Sequence, residues 1–207
     1  MRRPEYDERP KTNDERSKFG PSSFVIRRHM NKTNAMRLLD AQKISYTTTV
    51  YDDAGEFHSA DEAAALIGAP VEQVYKTLVV LRESSLPRAK PMLVMIASHR
   101  EVDLRLLAKS IGEKKLRMAT KKEAEQLTGA QIGGISALAQ LNKGFEILLD
   151  KPALALETIH VSGGVRGVDI QLRVGDLIRV TRAKIVEATE ETRNERNQGT
   201  VEEGDSS

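Results

Sequence analysis

Read as a pattern of apolar and polar positions, the chain has a polar beginning, a patterned middle and a polar end. Residues 1–30 are charged and broken by Pro4, Pro10, Gly20 and Pro21, which predicts a disordered polar arm. The stretch 190–207 is again polar and predicts a disordered tail. Residues 31–189 carry the periodic signal of one folded domain. Asn34, following Thr33, is placed to cap a helix through Ala35–Asp40. Ile44–Tyr51 is rich in β-branched residues and predicts a strand. Ser59 can cap a helix over Ala60–Ile67, which Gly68 stops.

Val71–Val74 predicts a short turn into an apolar strand, Tyr75–Leu81, and Pro91 opens a second one, Met92–Ala97. Asp103 caps a helix over Leu104–Ile111 that Gly112 stops, and a further helix is expected over Lys121–Leu127. A glycine-bearing loop spans 129–136. Phe145–Leu149, Thr158–Val161 and Val168–Leu172 read as strands, the last two joined by the turn 162–167, and 176–180 with 183–188 close the core. Strands and helices mix without regular alternation, which favours α+β over a doubly wound sheet.

Composition narrows the chemistry. Hydrophobic residues are 39% and aromatics only 4% of 207 residues, so Leu, Ile, Val and Ala must build the core. No apolar stretch approaches a membrane span, and the N-terminus has no apolar signal region; a soluble, cytoplasmic protein without a membrane partner is expected. Cysteine is absent, which excludes disulfides, thiolate metal sites and a protein-borne thiol nucleophile. His29, His58, His99 and His160 show no zinc-type spacing, so neither metal nor cofactor is expected. The net charge of +2 says little, but 11 Lys or Arg against 4 Asp or Glu lie between Arg82 and Lys122. Such a band suits a polyanion, with Lys114, Lys115 and Arg117 as candidate contacts; a solvated helical surface would look the same.

Lys76 interrupts an apolar strand, and burying an ammonium is costly unless acceptors or an anion meet it. It could clamp a phosphate, ester carbonyl or carboxylate, or simply snorkel out of a strand end. Gly133-Gly134 could offer backbone amides to an oxyanion or form an ordinary tight turn. Asp169 breaks a strand and could orient a substrate amine or hydroxyl, or sit wet beside Arg166. Tyr51 ends its strand as a pocket residue or a core-edge aromatic.

Taken in order, Lys43-Ile44-Ser45-Tyr46, Gln73 to Leu78, Thr128-Gly129 with Gly133 to Ser136, and Thr158 to Leu172 resemble the YbaK/EbsC family of trans-acting aminoacyl-tRNA deacylases. The resemblance runs over roughly Asn34 to Glu187. It implies a single α+β domain with a mixed, barrel-like sheet flanked by helices. It also implies removal of a wrong amino acid from tRNA, the acceptor end of tRNA(Pro) being the best-known target and prolyl-tRNA synthetase an associated partner. The family's essential lysine falls on Lys76 with Thr77 beside it, its pocket tyrosine on Tyr51, its catalytic-loop glycine on Gly133, and its pocket aspartate on Asp169.

By the same resemblance, Gly133 and Gly134 amides would meet the ester carbonyl oxygen, with Ser136 in the same loop against the substrate. Lys76 would meet the terminal adenosine or its phosphate. The chain departs from the family loop Gly-Gly-Ile-Ser-Pro-x-Gly: Ala137 replaces the proline and Ala139 the later glycine. Ser59 stands where the family's Cys-tRNA(Pro) deacylase carries a pocket phenylalanine. The resemblance thus implies an enzyme for cysteine on tRNA(Pro), attacked by the substrate's own thiol. The alternatives are water-driven cleavage of Ala- or Ser-tRNA, and a non-catalytic relative that binds tRNA or a synthetase.

Overall fold

The computed structural model describes residues 31–51, 60–83 and 89–190; the arm over 1–30 and the tail from 191 lie outside them. The first helix, α1 (Asn34–Ala41), is capped by Thr33 rather than Asn34, because Thr33 holds the extended backbone and its Oγ1 accepts from the Met36 amide at 3.2 Å. Strand β1 (Tyr46–Val50) is shorter than expected, and α2 (Ala60–Ile67) ends at Gly68 as expected, with φ +70. Its expected cap, Ser59, lies outside the described residues. A 3-10 turn (Val71–Gln73) leads into β2 (Val74–Arg82), followed by β3 (Met92–Ala97) and α3 (Leu104–Ile111). Asp103 caps α3 through the Arg105 and Leu106 amides, and Gly112 ends it in the left-handed region.

A short strand that the apolar pattern does not reveal, β4 (Leu116–Met118), precedes α4 (Lys121–Thr128). The α4 helix starts with a reciprocal Thr120–Glu123 capping box. Beyond the glycine loop come a 3-10 segment (Leu138–Lys143), β5 (Glu146–Asp150), a second 3-10 segment (Lys151–Ala155), β6 (Thr158–Ser162) and β7 (Val168–Arg173). The closing stretch is a helix, α5 (Val174–Thr181), and a strand, β8 (Lys184–Val186). None of the described helices is long and apolar enough to cross a membrane.

The strands form one mixed sheet in the order β1-β7-β6-β2-β3-β5-β8, with β4 on β2, so the α+β architecture is the observed one and its path is open. β2 pairs antiparallel with β3 and parallel with β6. One face buries Tyr75, Val79, Leu93, Met95, Leu149, Ile159, Val161 and Ile170 together with Leu39 and Met36 of α1 and Leu177 of α5. The other face is split. Its β2-β3-β5-β8 half buries Val80, Met92, Val94, Ile96 and Leu148 with Leu107 and Ala108 of α3. Its β1-β7-β6 half carries polar side chains, because Thr47, Thr49, Asp169, Gln171, His160 and Ser162 are in phase with one another by register.

Arg82 ties the apolar half together. Its Nη2 donates to Glu146 at 2.6 Å and its Nε to Glu113 at 2.5 Å, while Lys184 Nζ reaches Glu146 at 2.6 Å. Burial opposes the Glu146 charge, but the Lys184 and Arg82 hydrogen bonds outweigh it and hold the carboxyl below its ordinary range. A depressed folded pKa gives stability that is present above the unfolded value and is lost as pH falls through the folded one. Glu146→Gln is therefore expected to melt lower than wild type near neutral pH, with the gap closing as pH drops below about 4. Thermal melts across that range check it; an unchanged gap at acid pH would show that the pair does not titrate with folding.

Candidate active site

Lys76 lies on the split face at the boundary between its apolar and polar halves. It is half-buried, and its Nζ donates to the Ser98 carbonyl at 2.8 Å. Ser98 is itself pinned: its amide donates to the Val74 carbonyl at 2.7 Å and its hydroxyl to the Val71 carbonyl at 3.1 Å. The ammonium thus lies along the sheet toward the end of β3 instead of snorkelling to solvent. A backbone acceptor meets part of its desolvation cost, and an ammonium has three donors. The parallel register Val74↔His160 puts Lys76, two residues beyond Val74, on the same face as His160.

Asp169 shares this face. It is 6% exposed, and its Oδ1 lies 2.6 Å from Nδ1 of His160, itself 7% exposed. The partner that the structure gives it is this histidine, not the Arg166 suggested by the chain. Burial raises the Asp169 carboxyl above its ordinary range, and the hydrogen bond and charge of His160 pull it back. The sequence pattern did not single out His160. Its signal was the hairpin: nine residues before Asp169 across Gly163-Gly164, it falls on the diagonal of the pairing Ser162↔Asp169.

Tyr51 follows β1 half-buried, with its amide donating to the Gly167 carbonyl at 2.9 Å, so it borders the same half of the sheet. Thr77 does not. Alternation sends it to the opposite face with Tyr75 and Val79, where its hydroxyl is buried without a hydrogen-bond partner. Ser136 is similarly 1% exposed with an unpartnered hydroxyl, between Ile135 and Ala137 of that same core. Ser59 lies outside the described residues.

Gly133 is exposed with φ +89, a backbone that favours glycine. Gly134 is buried, and a Cβ there would sit 3.1 Å from the Arg166 amide nitrogen. The Gly134 amide already donates to the Gln131 carbonyl at 2.9 Å, so in this conformation it closes a turn and does not face an oxyanion. The loop therefore packs on the turn that feeds Asp169 into β7. Ala137 has φ −58, a value the proline ring also fixes, and the Ala139 methyl lies 3.1 Å from where a Gly164 Cβ would be.

Two of the three candidate contacts in the basic band are paired locally. Lys115 pairs with Glu83 at 2.6 Å, and Arg117 reaches both carboxylate oxygens of Glu123 at 2.6 and 2.9 Å. Lys114 is exposed. Among the described residues no group of three His, Asp or Glu could hold a metal ion. A cavity of about 740 Å³ opens at the carboxyl ends of β3 and β5, lined by Tyr75, His99, Arg100, Asp150 and Thr189. Tyr75 reaches it from the face opposite Lys76, and burial pushes its hydroxyl up to about 12.

The pattern of similarity fits this geometry. Residues 54–180 match the model of the aminoacyl-tRNA editing domain. Over 158 residues, 76% of this chain and 93% of the relative, it is 32% identical to EbsC of Enterococcus faecalis, assigned as a Cys-tRNA(Pro)/Cys-tRNA(Cys) deacylase. It is 29% identical over 94 residues to the proline–tRNA ligase of Limosilactobacillus fermentum, covering 45% of this chain and 16% of that enzyme. In fold it resembles a crystal structure assigned as a trans-editing enzyme for prolyl-tRNA synthetase, with TM-score 0.61 and 24% identity over 76% of this chain and 98% of that one. A hypothetical protein of known structure gives TM-score 0.67 at 21% identity over 76% and 99% of the two chains. By the match of its patterned core and of its length to EbsC, this chain belongs to the aminoacyl-tRNA editing domain family.

Proposed function

We propose that this chain is a trans-acting deacylase that removes a small amino acid, cysteine foremost, from the acceptor end of mischarged tRNA(Pro), the product of prolyl-tRNA synthetase in the cytoplasm. The observation that carries the reading is Lys76: a half-buried ammonium, fixed at 2.8 Å by the Ser98 carbonyl, at the edge of a polar half-face that also holds Asp169. A cation there attracts the terminal phosphate or adenosine and places the aminoacyl ester over the sheet. The cysteinyl sulfur then attacks its own ester carbonyl carbon. The bond from that carbon to the ribose oxygen breaks, the proton given up by the thiol passes to that oxygen, and a thiolactone and the free ribose hydroxyl are released. The protein supplies geometry, worth several kcal/mol in such ring closures, and a donor for the developing oxyanion, worth about 3 kcal/mol.

Gly133, exposed in the loop, is the candidate for that donor, since the Gly134 amide is committed to Gln131. Thr77 and Ser136 act from the opposite side of the sheet, through packing of the loop. The non-catalytic alternative rested on Ala137 and Ala139; the backbone at Ala137 keeps a proline-compatible φ, which favours a working loop.

Lys76→Ala is expected to lose on the order of 10²-fold in single-turnover release of cysteine from Cys-tRNA(Pro), with its circular dichroism unchanged. Wild-type turnover by the folded variant would sink the role given to Lys76. The salt dependence of tRNA binding offers a second check. Because Lys115 and Arg117 are already paired, neutralising Lys114, Lys115 and Arg117 together is expected to lower the slope of log K against log salt by about 1, not about 3. A fall near three would mean that both ion pairs open onto phosphates.

A further inference from the structure

The buried pair His160–Asp169 has no task in a thiol-driven reaction, where the nucleophile belongs to the substrate. It is nonetheless built as a unit. Both residues are over nine-tenths buried, 2.6 Å apart, and set by hairpin register on the face that carries Lys76. A carboxylate on Nδ1 fixes the tautomer and ring orientation of an imidazole and leaves the Nε2 lone pair to take a proton, the arrangement of a general base. Polar neighbours make that half of the face hospitable to water: Thr47 bonds Gln171 at 3.1 Å, and Gln171 reaches Thr158 at 3.3 Å. Among the described residues, the charged groups in phase with His160 on the adjoining strands are Asp169 and Arg173 from β7 and Lys76 and Arg82 from β2, of which Arg173 is paired with Glu157 and Arg82 with Glu113 and Glu146, while β1 presents Thr47 and Thr49.

We infer that the editing face contains a second, protein-driven route of ester cleavage, in which His160, oriented by Asp169, draws a proton from water. This rests on the deacylase reading above and extends it to esters that carry no thiol, such as seryl- and alanyl-tRNA. Water loses a proton to Nε2, and its oxygen bonds the ester carbonyl carbon. The tetrahedral adduct collapses by breaking the carbon–oxygen bond to the ribose, whose oxygen takes the proton back from Nε2. The products are the free amino acid and the tRNA terminal hydroxyl, and His160 returns neutral. His160 is the catalytic base and Asp169 a positioning residue.

Single-turnover cleavage of Ser-, Ala- and Cys-tRNA(Pro) tests this on the full chain, with thermal melts as the fold control. In labelled water, ¹⁸O is expected to enter the amino acid that the wild type releases from the seryl and alanyl esters. His160→Gln is expected to cut those rates by roughly 10²–10⁴-fold, while the cysteinyl rate falls by about tenfold or less. Asp169→Asn keeps a hydrogen-bond partner but not its charge, so it should lower the seryl and alanyl rates more than the cysteinyl rate. A folded His160→Gln with wild-type rates on seryl and alanyl esters overturns the inference. So does serine or alanine released by the wild type without the label, which needs no variant to observe. Release of cysteine with seryl and alanyl esters untouched also overturns it and leaves the deacylase reading intact. Inertness toward all three removes that reading as well.

Discussion

Strand β2 is hydrogen-bonded along both edges, and it joins the β1-β7-β6 half of the sheet to the β3-β5-β8 half. The rest follows from that position. Being central, β2 must be apolar on both faces along most of its length, as Val74, Val79 and Val80 are. A lysine is tolerated in it only where one covering layer stops. On the split face the cover of α3 ends at Leu78, and Lys76 is the next residue in phase. The charge therefore marks the seam between a packed half of the face and a wet one.

Two kinds of electrostatic contact differ in what they can do. The ion pairs of Lys115 and Arg117 are exposed and contribute little to stability, but each carboxylate offsets its cation's charge toward an incoming polyanion. His160–Asp169 is buried, and parting it would strand a charge. The first kind tunes how strongly a surface attracts a long backbone; the second suits a fixed point of geometry that remains when substrate leaves.

Much of this was legible in the chain. The bounds of β3 and α3 follow from Pro91, Asp103 and Gly112, because each acts on the backbone locally. Strand β4 was not legible, since three residues carry no period and Leu116–Met118 is extended only because the end of β2 offers an edge. The short 3-10 segments are set likewise by packing. At the site, Lys76 stood out as a charge in an apolar run. That Thr77 turns away from it follows from strand alternation once Tyr75 and Val79 are known to be buried. His160 was hidden because its meaning is relational: a histidine in β6 acquires a carboxylate only when the register with β7 is fixed, and register is a property of the folded hairpin.

The glycine loop and the hairpin turn touch backbone to backbone. A Cβ at Gly134 would crowd the backbone of Val165 and Arg166, and one at Gly164 the Ala139 methyl. A side chain at 134 fits only if the 165–166 backbone gives by a few tenths of an ångström. Because those neighbours are backbone atoms, no substitution at 165 or 166 makes the room. Position 139 meets Gly164 through its own side chain. Across relatives, glycine should persist at 134 whatever stands at 165 and 166, while 139 and 164 should vary as a pair, a covariation imposed by steric exclusion between two turns and not by any shared contact with substrate.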